Sequence, residues 1–218
     1  MATLPETFDR HLFQSLNARA VWLPGKAMAL GDVMVRRNGE FHKVAHINNF
    51  GASMQTLGHS DTALDLASGS VRQRIFQAGA ELPDTGPLDL AAEASVSLEF
   101  QGKAQFVLKT PTLAGGSIQN LLEIATTVAP LANWQHDKFF IVHEMYTGVD
   151  WSFLGTKEKS ATIGFSGKGA AILSFLSAGA TVGLKSSGSI EVKIVGKGGA
   201  IAHNVARVRR GGELDFDL

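Results

Sequence analysis

From Phe139 to the C-terminus the chain reads as consecutive β-strands broken by glycines. The segments are Phe139–Phe153, Ser160–Ser166, Ala180–Lys185, Ser189–Val195 and Ala200–Arg207. One small apolar segment, Gly169–Ala178, is set among them. A strand satisfies its backbone only by pairing with another strand, so a run of this kind commits most of the chain to a sheet. Glycine is abundant at 24 residues and proline sparse at 6, which suits a twisted sheet with tight turns better than a disordered linker. No acid, base, nucleophile or metal cluster accompanies the run.

A chain of 218 residues with 44% hydrophobic content is sufficient for one large domain with a real core, spanning 1–218. Lys plus Arg and Asp plus Glu are both 20, so no net field draws the chain to nucleic acid or to an anionic surface as a whole. Aromatic residues are 8% and do not interleave with basic ones, and no nucleic-acid partner is expected. The absence of cysteine excludes disulfides, thiolate metal sites, cysteine nucleophiles and S-acylation, and suits a reducing cytoplasm. The opening MATLPETFDRH lacks the basic and apolar regions of a secretory signal. No stretch approaches the roughly 18 apolar residues of a membrane-spanning helix.

Upstream, Thr3-Leu-Pro-Glu6 has the form of a helix start with a capping box. Phe8, Leu12, Phe13 and Leu16 then form one helical face, which Asn17 ends. Val21–Leu23 reads as a short strand. Asp32–Arg36 and Phe41–Ile47 read as a hairpin about Asn38-Gly39. Asn48–Asp65 has little period and reads as loop or irregular edge. Val71–Ala78 is taken as a strand, although Ser70 is also able to cap a helix. Leu82–Pro87 reads as a turn-rich loop. Ala94–Leu108 alternates in two registers about Gln101-Gly-Lys103, a bulge or a tight turn. Pro111–Gly116 reads as a loop. Ser117 is expected to cap a helix carrying Ile118, Leu121, Leu122, Ala125 and Val128, with Pro130 as its stop. The fold class is therefore α+β: a twisted, mainly antiparallel sheet with two or three packed helices.

Known chemical motifs fit poorly. Gly164–Gly169 and Gly179–Ser186 lack the spacing or the hydroxyl of a phosphate loop. His143-Glu144 has Thr147 where a zinc-binding helix needs its second histidine. His42 and His46 share a strand face without an evident third ligand. Ser152 and Ser166 lie outside any nucleophile elbow. Asp32, Glu40, Glu99 and Glu144 have no spacing that favours a carboxylate pair. No cofactor is expected. An enzyme with catalytic residues dispersed in sequence remains open at this level. Arg207, Arg209 and Arg210 form the densest basic cluster, with Arg36 and Arg37 next; they are either solvated strand ends or contacts for anionic lipid or an acidic partner. The tail after Val208 is basic and then acidic, and is either a frayed end or a docking segment.

At Asp137-Lys-Phe-Phe-Ile-Val-His-Glu-Met-Tyr-Thr-Gly148 the chain resembles a segment of gasdermins, particularly bacterial ones, in which an acidic residue leads into an aromatic-rich strand. The order that follows is also similar: an extended region to Phe165, the segment Gly169–Ala178, Ala180–Lys185, Ser187–Ile194, and Gly199–Arg207. An amphipathic first helix, the hairpin at Asn38-Gly39 and the Ser95–Phe100 strand fit the gasdermin amino-terminal domain. The resemblance implies a gasdermin-like pore-forming or membrane-perturbing protein, not an enzyme, that is cytoplasmic until activated and then moves to the inner face of the membrane. It implies a role in bacterial defence, membrane lipids as partners after activation, an inhibitor or activator protein, and a homo-oligomer as the active form. Two features depart from the family: the acylated N-terminal cysteine is missing, and little chain follows Arg210 to serve as an inhibitory segment.

A membrane-inserting hairpin needs strands of roughly 9–11 residues with one apolar face. Ile141, Met145 and Val149 share one parity of the first long strand; Ile163 and Phe165 share one of the next; Lys157–Lys159 would form a polar tip between them. Ile172 and Phe175 are bulky members of Gly169–Ala178, which is either a core helix or part of a refolding segment. These seven are the membrane-insertion candidates. The alternative function is a non-enzymatic interaction or ligand-binding module acting with a partner protein.

Overall fold

The computed structural model describes residues 2–37, 39–69, 71–82, 89–159, 161–168 and 192–217. Their elements are α1 (Leu4–Leu16), β1 (Arg19–Ala20), β2 (Asp32–Arg37), β3 (Glu40–His46), a 3-10 turn (Ile47–Phe50), β4 (Thr56–Gly58), β5 (Thr62–Ala67), β6 (Val71–Gln77), β7 (Ala80–Leu82), β8 (Glu93–Phe100), β9 (Gln105–Ile118), α2 (Leu121–Val128), β10 (Phe139–Thr156), β11 (Ala161–Lys168), β12 (Val192–Val208) and β13 (Leu214–Asp217). The fold is α+β and mainly antiparallel. Gly169–Ala178 and Ala180–Lys185, and with them Ile172 and Phe175, lie outside the described residues.

The chain forms two compact units. The first comprises Met1–His11, Thr62–Leu113 and Gly148–Gly198; the second comprises Leu12–Asp61, Ala114–Thr147 and Gly199–Leu218.

In the first unit a four-stranded sheet, β11-β8-β6-β7, packs on β9 and β10. Val96, Leu98 and Phe100 of β8 and Ile163 and Phe165 of β11 alternate inward and meet Val107 and Leu154. The opposite face of β9 and β10 carries Phe106 and Phe153, whose rings stack, and α1 lays Phe8 edge-on against both. The capping box predicted for α1 is present: Thr3 N–H donates to Glu6 Oε2 at 2.7 Å and Glu6 N–H donates to Thr3 Oγ1 at 3.4 Å. The first of these bonds holds the Glu6 carboxyl below its ordinary range. Val71–Gln77 is a strand, as read, and it returns through Ala78-Gly79 into β7, a hairpin the alternation of the sequence did not reveal.

In the second unit the hydrogen-bonded order is β1-β12-β10-β2-β3, with β13 on β12 and β4 on β9. One face carries α2 through Leu121, Ile124, Ala125 and Val128, packed with Val33, Ile141, Trp134 and Phe139. The other carries a smaller cluster of Met34, Phe140, Val142 and Val205. The β2–β3 hairpin closes as expected, with Arg37 opposite Glu40 and Gly39 at φ +85°.

Several sequence expectations need correction. Asn48–Asp65 is more ordered than its lack of period suggests: it holds most of the 3-10 turn, and β4 and the start of β5, two short strands whose order comes from pairing with β9 rather than from their own periodicity. Pro111–Gly116 is not a loop but lies inside β9. Opposite it, Thr62 pairs with Leu113 and Leu64 with Thr110, so one extra residue bulges from β9 near Pro111, where a missing N–H is tolerated. The second helix starts at Leu121 after Asn120, not at Ser117, and Ile118 ends β9. The short strand near Val21 is Arg19–Ala20 instead. Gln101–Ala104 is a turn, and the residues described from Ser189–Val195 join Ala200–Arg207 in one strand, β12.

The tail is a strand. β13 pairs antiparallel with β12, Val208 opposite Leu214 and Arg207 opposite Asp215. The expected hairpin between Phe139 and Ser166 is absent among the described residues. Lys157–Lys159 is an exposed turn, but β10 pairs with β2, β9 and β12, whereas β11 pairs with β8 in the other sheet. Consecutive strands usually pair, but here the turn carries the chain from one sheet to the next.

A candidate anion-binding cleft

The end of β2 brings together basic residues that are distant in sequence. Arg36 and Arg37 are the last residues of β2, Lys138 immediately precedes β10, and Arg207 lies near the end of β12. All four line a cleft of about 640 Å³ in the second unit, together with Asp137, the single carboxylate of its lining among the described residues. Antiparallel pairing explains the convergence. Val35 lies opposite Phe139, so the residue after the one and the residue before the other both sit at this end of the sheet.

An aromatic ladder orders the cations. The Arg207 guanidinium sits 4.8 Å from the ring centre of Phe140, and that of Arg36 sits 5.8 Å from Phe41. Phe41 meets Phe140 edge-on at 5.3 Å. Each guanidinium rests on a ring face, a contact worth about 0.5–1 kcal/mol at an exposed site.

The two basic clusters singled out in the sequence are thus joined in part. Arg36, Arg37 and Arg207 share the cleft. Arg209 instead pairs with Asp215 of β13, and Arg210 is exposed in the turn before β13. Lys138 and the Phe41–Phe140 pair were missed. The signal was present in the common strand positions of Arg36, Phe41 and Phe140, but reading it requires the register.

The insertion candidates are placed as follows. Ile141 is buried among the α2-facing cluster, while Met145 packs on the opposite cluster with Val142. Val149 is 39% exposed. Ile163 and Phe165 are buried in the first unit against β8. Ile172 and Phe175 lie outside the described residues.

Other polar candidates are engaged in structure. Asp32 is buried and its Oδ1 lies 2.7 Å from Lys43 Nζ, while its Oδ2 accepts the Ala29 N–H. Glu99 pairs with Arg74. Glu144 accepts from Tyr146 Oη at 3.0 Å and from Asn204 Nδ2 at 2.8 Å. Burial, reinforced by the Glu144 charge and its hydrogen bond, pushes the Tyr146 hydroxyl up to about 12. His46 accepts the Asn48 N–H at Nδ1, and its Nε2 donates to the Leu30 carbonyl at 3.1 Å. His143 packs edge-on against Phe216 of β13, and burial pushes its pKa down against the opposing pull of Glu144. Among the described residues no three His, Asp or Glu side chains converge as a metal site, and no helix is long and apolar enough to cross a membrane.

No protein-family model matches the chain, and no curated protein is significantly similar to it.

Proposed function

We propose that this chain is a non-enzymatic, gasdermin-like protein that perturbs membranes. It is held inactive in the cytoplasm by an inhibitor, or awaits an activator. After activation it acts as a homo-oligomer at the inner face of the membrane, with bacterial defence as the context that the resemblance implies. The observation that carries the reading is the cleft lined by Arg36, Arg37, Lys138 and Arg207. Four cations against one carboxylate favour an anionic headgroup, and the aromatic floor suits an interfacial position. The 18 residues of β10 exceed the length a strand needs to cross a bilayer. Because β10 and β11 belong to different sheets, insertion as a hairpin requires β11 to leave β8.

The test is dye release from liposomes of mixed anionic lipid, with the full chain before and after limited proteolysis. Release on anionic but not zwitterionic liposomes, with ring-like oligomers and with loss in the Arg36→Gln/Arg207→Gln variant, is the expected result. No release in either state, with a stable monomer, overturns the reading.

One observation favours the alternative, an interaction module acting with a partner protein. β3 ends the hydrogen-bonded order of its sheet, and its Val44, 45% exposed, lines the same cleft. A strand edge beside cations suits an acidic extended peptide. In that case the same double variant weakens partner capture and leaves liposomes irrelevant.

A further inference from the structure

A second basic cleft, of about 460 Å³, lies in the first unit between α1 and the turn joining β8 to β9. We propose that it binds a small soluble molecule bearing a phosphate group. Among the described residues Thr7, Arg10, His11, Gly69, Lys103 and Gln105 line it, and no carboxylate does. Among the described residues, neither Arg10 nor Lys103 has an ion-pair partner. Two cations that line one cleft without a compensating acid both favour an anion there.

The neutral groups of the cleft are already oriented. Gly102 N–H donates to Gln105 Oε1 at 2.9 Å, which directs the Nε2 amide end toward Gly69. Gly69 has φ +63°, and a Cβ at that position would stand 2.6 Å from Gln105 Nε2. The glycine therefore supplies both the turn and the space around a donor. His11 Nδ1–H donates to the Thr7 carbonyl at 2.8 Å, and the edge of the ring meets Phe106 at 5.5 Å. With Nδ1 committed, Nε2 is the ring atom left for a ligand.

This donor set matches a phosphate monoester better than a carboxylate. A guanidinium fork, an ammonium and an amide NH₂ together serve three anionic oxygens carrying close to two charges. The volume is in the range of small-molecule pockets and exceeds what phosphate alone would fill, so it leaves room for an organic body. A lipid headgroup offers the same phosphate chemistry from a membrane surface, and the experiment separates the two sources.

The full chain is titrated calorimetrically with inorganic phosphate and pyrophosphate while the ring signals of His11 are followed by NMR. The expected result is saturable binding with a shift of the His11 signals, weakened about tenfold by Arg10→Gln and by Lys103→Gln, a factor equal to about 1.4 kcal/mol. Lys103 is exposed, so its variant keeps the fold as the reference. In the Arg36→Gln/Arg207→Gln variant the shift of the His11 signals persists, which separates this site from the cleft of the second unit whatever anion that cleft takes. Absence of saturable binding, or binding that neither variant weakens, overturns the proposal. So does association of Arg10 and Lys103 with anionic vesicles alone, without competition by soluble pyrophosphate.

Discussion

At the scale of single residues, backbone geometry decides more than side-chain chemistry. Gly199 has φ +147°, and a Cβ there would lie 2.5 Å from Gly25 Cα and 2.8 Å from its carbonyl oxygen. The Gly25 N–H bonds to the Ala200 carbonyl at 2.8 Å, so the two backbones cannot separate without losing that contact. Gly199→Ala should cost about 3 kcal/mol, read from urea unfolding, because strain and steric displacement add. The opposite case is Ala78, an exposed alanine at φ +51° beside Gly79 at φ +81° in the β6–β7 turn. A two-residue turn with both residues left-handed prefers Asn-Gly. Ala78→Asn should raise stability by about 1 kcal/mol, seen as a higher urea midpoint with an unchanged slope.

At the scale of elements, the tail behaves as a docked strand. β13 meets β10 through Phe216, which is 52% exposed and packs against the His143 ring. Burial lowers the folded-state pKa of His143. The unfolded chain therefore takes up this proton more readily. The contribution is fully present above the ordinary imidazole value of about 6.5 and is lost as pH falls through it toward the lowered folded value. Glu144, adjacent in sequence, opposes the shift but does not reverse it. Unfolding measured at pH 7.5 and at 5.5 should show the native chain losing more stability than His143→Phe, which keeps the ring contact without the proton. Equal losses would remove His143 from the account.

At the scale of the whole molecule, the arrangement of the sheets bears on any test of insertion. Ile163 is fully buried against the β8 side chains, so Ile163→Asp places a carboxylate in a core. It should destabilise by about 4 kcal/mol or more and is unsuited to a liposome assay. Val149 lies half outside the core, next to Asp150 at φ +51°, and its carbonyl accepts from Thr110 Oγ1 at 2.9 Å. Val149→Asp should leave the melting curve within about 0.5 kcal/mol of the parent, as for other surface changes. If β10 enters a bilayer, the same substitution abolishes dye release. Release at the parental rate places Val149 outside the lipid-facing surface.

Local order was legible in the sequence wherever a residue's neighbours in the chain are also its physical partners. The Thr3–Glu6 box, the heptad-like spacing of Phe8 and Leu12, the left-handed Asn17 that ends α1, and the turn at Gly39 are all of this kind. So was the alternation of Val96, Leu98 and Phe100, because a half-buried strand writes its two faces into two-residue periodicity. Pairing was not legible. β5 and the bulge near Pro111 owe their form to strands far along the chain, and β10 and β11 follow one another yet join different sheets. The same limit governs the candidate sites. Arg36 and Arg207 stood out as charges, but only the pairing of β2 and β12 on either side of β10 brings them to one cleft, and only the packing of α1 near the β8–β9 turn puts Arg10 and Lys103 on another. Hydrogen-bond partners and charge neighbours across a sheet are set by tertiary free energy, which sums over contacts that no short window of sequence contains.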